Sequence, residues 1–252
     1  MMLKLRDRDF SQIIGAAAIL LILLVSIARS FATESTTAKE PQMPSPAFQR
    51  FRFSFFTDPD SARDGLDVLA LSLLEGEQRT RAEHMLIEFL PDTRAVIGLG
   101  VLRSLKAEPR LRQLFAAERM AWHGHDGDWS PYRLIELAKA LWLIHPAPLW
   151  LEIEIEVLGH AEDPVQRQTA AEALYVFHDP AASPPLVKAL DDPYSLVRYH
   201  AARALLALHG LPHESKDPQH MIYRVMSEDP ARHQGGKRAI LEAIAGWPIT
   251  PP

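Results

Sequence analysis

The chain has 252 residues, 47% of them hydrophobic, which is enough for one sizeable domain plus an appendage. Its formal net charge is -5 and its basic residues are scattered, so no electrostatic footprint for nucleic acid is present. The absence of cysteine excludes disulfides, thiolate metal sites and a cysteine nucleophile, and suits an oxidising compartment.

Residues 1–12 carry Lys4, Arg6 and Arg8, and an unbroken apolar run follows from Ile13 to Ala28. At about 1.5 Å per residue this run reaches roughly 24 Å, short of a hydrocarbon core of ~30 Å unless Phe10 and Phe31 extend its edges. A transmembrane anchor or a signal segment is expected over 13–31. Ser30-Phe31-Ala32 offers cleavage after Ala32, whereas the length of the apolar run and Arg29 favour retention. Basic residues before the run outnumber those just after it, which predicts a body outside the cytoplasm. The polar, proline-containing stretch 32–46 is expected to be a flexible linker. In AFQRFRFSFF, Phe51, Phe53 and Phe55 alternate with Arg50, Arg52 and Ser54. This alternation predicts an extended segment over 47–58 whose aromatic face covers the end of the body that follows.

The body from 59 to 252 has helical spacing. Leu66, Leu69, Ala70, Leu73 and Leu74 form one apolar stripe and Ala82, Met85, Leu86, Phe89 and Leu90 another, divided near Gly76. Pro91-Asp92 opens a helix to about Lys106, Pro109 one to about Trp122, and Pro131 one to about Ile144. From Leu149 to Leu158 the apolar residues alternate with Glu152, Glu154 and Glu156, a strand period. Its position before Glu162-Asp163-Pro164, like that of PLVKAL before Asp191-Asp192-Pro193, predicts a helix instead, with the glutamates as a solvated acidic patch.

Two copies of one pattern follow, EDPVQRQTAAEALYVF from Glu162 and DDPYSLVRYHAARALLALHG from Asp191. Arg167, Ala170, Ala171, Ala173 and Leu174 match Arg198, Ala201, Ala202, Ala204 and Leu205 at one constant offset, the mark of a stacked repeat array. Asp163-Pro164 and Asp192-Pro193 each supply a capping carboxylate and a proline suited to the first helical position. Gly210 with Pro212 beyond supplies a stop. Each hairpin cannot bury its stripe alone and must stack on its neighbours.

The string Asp192-Pro193, Val197-Arg198, Ala201-Ala202, Ala204-Leu205 resembles a HEAT-like repeat of the short, phycobilisome-lyase type. The second copy fits without a gap. In the first, Arg167 stands closer to Asp163 than Arg198 does to Asp192. The resemblance implies an all-α fold, an α-solenoid of helical hairpins behind one N-terminal transmembrane or signal helix, and a scaffold more often than an enzyme. Weaker copies at Gln78 to Leu86, Leu137 to Leu141 and Lys237 to Ile244 extend the array, with an insertion between Leu211 and His220. Arg167 and Arg198 are expected to hold neighbouring repeats in register through an aspartate or a helix-end carbonyl.

Chemistry-bearing patterns are few. His123, His125, Asp126 and Asp128 carry ligand types suited to zinc or another divalent ion, but the same string suits a tight interhelical loop. HEAT-like di-iron hydroxylases use several His-Glu dipeptides, and this chain has one, His213-Glu214. The cytosolic pigment chemistry of bilin lyases fits poorly with an N-terminal membrane segment. No nucleophile elbow, Walker loop or dinucleotide fingerprint occurs. The expected function is a membrane-tethered, extracytoplasmic scaffold that binds a protein partner, without cofactor, catalysis or nucleic acid. A metal-binding protein or enzyme using the His123 to Asp128 loop is the alternative.

Overall fold

Aspartate caps, prolines at first helical positions and alanines at close contacts account for most of the architecture. The computed structural model describes residues 43–56, 65–124, 132–214, 217 and 219–246. The apolar run at 13–28 and all but the end of the linker lie outside them. Residues from Pro44 onward form one unit, and among the described residues every regular element is helical.

Four helices stack side by side as one layer: α4 (Thr93–Val101), α6 (Tyr132–Ile144), α8 (Pro164–Phe177) and α10 (Ser195–Leu208). Against that layer pack α5 (Glu108–Gly124) on α6, α7 (Pro148–His160) on α6 and α8, and α9 (Ser183–Ala189) on α10. The C-terminal hairpin, α11 (Met221–Val225) with α12 (Pro230–Ala245), packs on α10. At the other end α3 (Gly76–Glu88) packs on α4, and α2 (Val68–Ser72) bridges α4 and α1 (Pro46–Phe56).

The repeated alanines explain the closeness of the layer. Ala170, Ala171 and Ala173 in α8 and Ala201, Ala202 and Ala204 in α10 are all buried, where a larger side chain would push the helices apart. Gly100 does the same between α4 and α6, since a Cβ there would stand 2.7 Å from Ala140 Cα.

Arginines tie successive hairpins together. Arg167 clasps Asp192 side-on, with Nε 2.8 Å and Nη2 3.1 Å from the two carboxylate oxygens, and donates to the Ala161 and Glu162 carbonyls. Its bond to Asp192 is the main cause that raises its pKa. Arg198 is buried and donates to the Val225 and Met226 carbonyls at 2.8 Å each, satisfying the otherwise orphaned end of α11. It also reaches Asp192 and Pro193 at the start of its own hairpin turn. Arg79 in α3 donates to the Leu102 carbonyl at the end of α4.

Four expectations are corrected. Of the segment 47–58, the described part is not extended: α1 is helical from Pro46 to Phe56, and it buries Phe48, Phe51 and Phe55 at spacings of three and four while Phe53 stays exposed. Burial of the 48/51/55 stripe on one helical face overrides the period-two alternation. Asp192-Pro193 does not open a helix. α10 starts at Ser195 with Tyr194 as N-cap, and Asp192 instead accepts from the Tyr194 amide at 2.8 Å while holding Arg167. Asp163-Pro164 does open α8, with Asp163 accepting from the Val165 amide. The helix after Asp92 ends at Val101 rather than near Lys106, because Arg103 takes a left-handed φ of 49°. Leu149 to Leu158 is helical as expected, within α7, but its glutamates are not one solvated patch: Glu152 is exposed and Glu154 is fully buried.

Candidate functional site

Within the repeated string, L-A-x-A-L in α6 and A-A-x-A-L in α8 and α10, the four flanking residues are buried and the middle position keeps some exposure, most of all in α8. That middle position is Lys139 in α6, Glu172 in α8 and Arg203 in α10. Because the helices stack in register, three sequence-distant residues of alternating sign form one strip across the layer. Charge attraction along it is present, since Glu172 adds to the effect of Glu136 in raising the Lys139 pKa.

At the α6 end, Lys139 Nζ lies 2.9 Å from Glu136 Oε1, and both side chains are largely shielded. Burial alone would lower the Lys139 pKa, but the Glu136 carboxylate beside it holds it above the ordinary value. Glu154 enters from α7, fully buried, with neither carboxylate oxygen hydrogen-bonded. Desolvation pushes its pKa well above the ordinary range, against the pull of Lys139 and with the push of Glu136. Burial therefore favours its protonated, neutral form, since an ionised carboxylate there would lack solvation. Tyr132 is shifted upward by burial and by Glu136.

At the α10 end a cleft of about 200 Å³ is lined by Glu172, Tyr175, His200, Arg203, His213 and Glu214. It is smaller than the ~300 Å³ at which drug-sized pockets begin. His200 approaches Glu172 at 3.8 Å and Gln168 at 3.4 Å. Burial lowers its pKa despite Glu172, with Arg203 acting in the same direction. The Arg203 guanidinium lies over the Tyr199 ring at 5.4 Å and pairs through Nη2 with Glu214. Its Nε is covered and finds no partner among the described residues. The Tyr175 and His213 rings are 5.5 Å apart at the rim.

Of the sequence-derived candidates, Asp163, Pro164, Arg167, Asp192, Pro193 and Arg198 lie at the hairpin junctions described above. The side chain of His123, at the end of α5, and the whole of His125, Asp126 and Asp128 lie outside the described residues. Among the described residues no group of three or more His, Asp or Glu side chains is placed to hold a metal ion. His213-Glu214, singled out as a dipeptide, lines the cleft instead. The sequence reading missed Lys139, Glu172 and Arg203, although a signal was present: each is the one charged residue inside a shared small-residue frame, LAKAL, AAEAL or AARAL.

Residues 126–219, which hold α6 to α10, match the family model of HEAT repeats. Over that stretch the chain is HEAT-like. No curated protein matches the chain. The helical hairpins continue past both ends of the matched stretch, through α3 and α4 on one side and α11 and α12 on the other. HEAT repeats commonly mediate protein–protein interaction.

Proposed function

We propose that this protein is a membrane-tethered, extracytoplasmic scaffold that holds a protein partner on its HEAT-like array. The observation that carries the reading is the strip of Lys139, Glu172 and Arg203 with its cleft, a polar surface spread over three successive repeats. Partners of solenoids are recognised across several repeats at once. Tethering rests on the apolar run from Ile13 to Ala28 and the basic residues before it. No described helix is long and apolar enough to cross a membrane. If the N-terminal segment is cleaved after Ala32, the body is periplasmic or secreted.

The test is crosslinking of tagged full-length protein in its own cells, followed by membrane fractionation and identification of captured proteins. One dominant envelope protein, recovered from the membrane fraction and lost when 59–252 is deleted, is the expected result. Recovery of the full-length chain from the soluble cytoplasmic fraction would remove the tethered, extracytoplasmic reading. Capture of no protein above background would remove the scaffold reading.

A further inference from the structure

The cleft between α8 and α10 has one feature that the stacking of repeats does not require. Arg203 is held ready for an anion but is incompletely used. Its guanidinium lies over Tyr199, which fixes its orientation before any ligand arrives and reduces the ordering cost of binding. Its Nη2 is taken by Glu214, a residue of the insertion that interrupts the array, and its Nε, covered while Glu214 is in place, has no partner among the described residues. Elsewhere the chain shows what a complete arrangement looks like: Asp192 meets Arg167 side-on and takes Nε and Nη2 together. Such bidentate contacts are stronger and more specific than a single one.

We propose that the α8–α10 cleft recognises a carboxylate side chain of the protein partner, and that Glu214 occupies it in the free protein as a weak internal stand-in. This rests on the scaffold reading and adds the chemistry of the contact. The incoming carboxylate displaces Glu214 and takes Nε and Nη2 of Arg203 together. The Glu214 pair is easily released, because the Glu214 side chain is 69% exposed, and exposed ion pairs contribute little. The walls define the ligand. Tyr175 and the His213 ring flank the mouth, and Glu172, held near His200, places a fixed negative charge on the wall that disfavours a dianion. A volume of about 200 Å³ suits one aspartate or glutamate side chain of an extended acidic segment.

The test uses full-length protein in detergent micelles and the dye-labelled peptide acetyl-Glu-Glu-Glu-Glu-amide, with dissociation constants read by fluorescence anisotropy at pH 7 and low salt. Glu214→Gln is expected to tighten binding roughly two- to fivefold, the scale of one exposed ion pair. In the Glu214→Gln background, Arg203→Gln is expected to weaken it tenfold or more, while Arg203→Lys recovers only part because it lacks the fork. Thermal melting of each variant shows whether it is folded, and Arg203 stands at an outward position. The same dissociation constant in Glu214→Gln and the parent, no loss with folded Arg203→Gln, or displacement of the peptide by inorganic phosphate as readily as by unlabelled peptide would each overturn the proposal. The two readings fail separately. A partner captured in cells equally well by Arg203→Gln leaves the scaffold and removes the cleft, whereas peptide binding with no captured protein leaves the cleft and removes the scaffold.

Discussion

Glu154 is the residue whose environment departs furthest from what its type prefers. It stands on α7, fully buried and close to Lys139 and Glu136 of α6, its oxygens make no hydrogen bond among the described residues, and burial raises its pKa well above the ordinary value. The consequence for stability has a definite sign. An acid whose folded pKa is raised binds its proton more tightly when folded, so the folded state loses stability as pH climbs from the unfolded value, ~4.3, toward the folded one. Replacing the group with an apolar side chain of similar length removes that loss. Glu154→Met is therefore expected to raise stability by about 1 to 3 kcal/mol at pH 8, with a smaller gain at pH 4. Urea unfolding of both proteins across pH 4–8 gives the check, and a difference between them that does not grow with pH would show that Glu154 is not held neutral. Taking the difference cancels His200, whose depressed pKa acts in the opposite direction in both proteins. Lys139 keeps Glu136 in the variant, so no new unpaired charge is created.

At the scale of elements, sequence and structure agree where one rule acts alone and part where two compete. Asp163-Pro164 with the alanine frame behind it is enough to place α8, because cap, proline and periodicity all point the same way. Asp192-Pro193 carries the same letters, yet α10 starts two residues later because Asp192 is drawn to Arg167. In α1 the alternation of phenylalanine with arginine points to an extended segment, but only Phe48, Phe51 and Phe55 find a surface to bury against. The strip of Lys139, Glu172 and Arg203 was hidden for a different reason. A charged residue at an outward helical position is ordinary in one repeat and becomes a site only once the register of three repeats is known. Close approach was equally hidden, since Gly98 and Gly100 look alike in the sequence. A Cβ on Gly98 would meet the flexible ends of Leu86 and Leu66, whereas one on Gly100 would meet the Ala140 backbone. Gly100→Ala should therefore cost about 1 to 3 kcal/mol by overpacking. Gly98→Ala should fall within about 1 kcal/mol of the parent, because the better helix propensity of alanine offsets a small adjustment of Leu86. Thermal melting of the pair decides it, and equal losses would show that α4 and α6 are not in rigid contact at Gly100.

Among the described residues the larger contacts of each hairpin are with its neighbours, so stability is a chain of local couplings, and a lesion at one junction should release what lies beyond it. The junction between α10 and the C-terminal hairpin is the place to test this. α8 and α10 share a long alanine-lined contact, whereas α10 meets α12 much more lightly. Arg198 concentrates much of the remaining coupling, as it donates to the Val225, Met226 and Ser227 carbonyls and to Glu228. His233 and Lys237 supply further ties to Leu190 and Asp191. In Arg198→Ala the carbonyls at the end of α11 lose a buried donor, at a cost of about 3 kcal/mol. For an array of this size that is a fall of roughly 6–12 °C in Tm. The distribution of the loss is the sharper expectation. Native-state hydrogen exchange should accelerate first and most in 221–245 and change little in α6 and α8, because those helices keep Arg167 and its bidentate grip on Asp192. Uniform loss of protection from α4 to α12 would mean that the array unfolds as one cooperative body and that Arg198 stabilises all of it rather than one junction. A scaffold built of separable junctions can let its C-terminal hairpin open while the α6–α10 strip, where the partner is proposed to dock, stays formed.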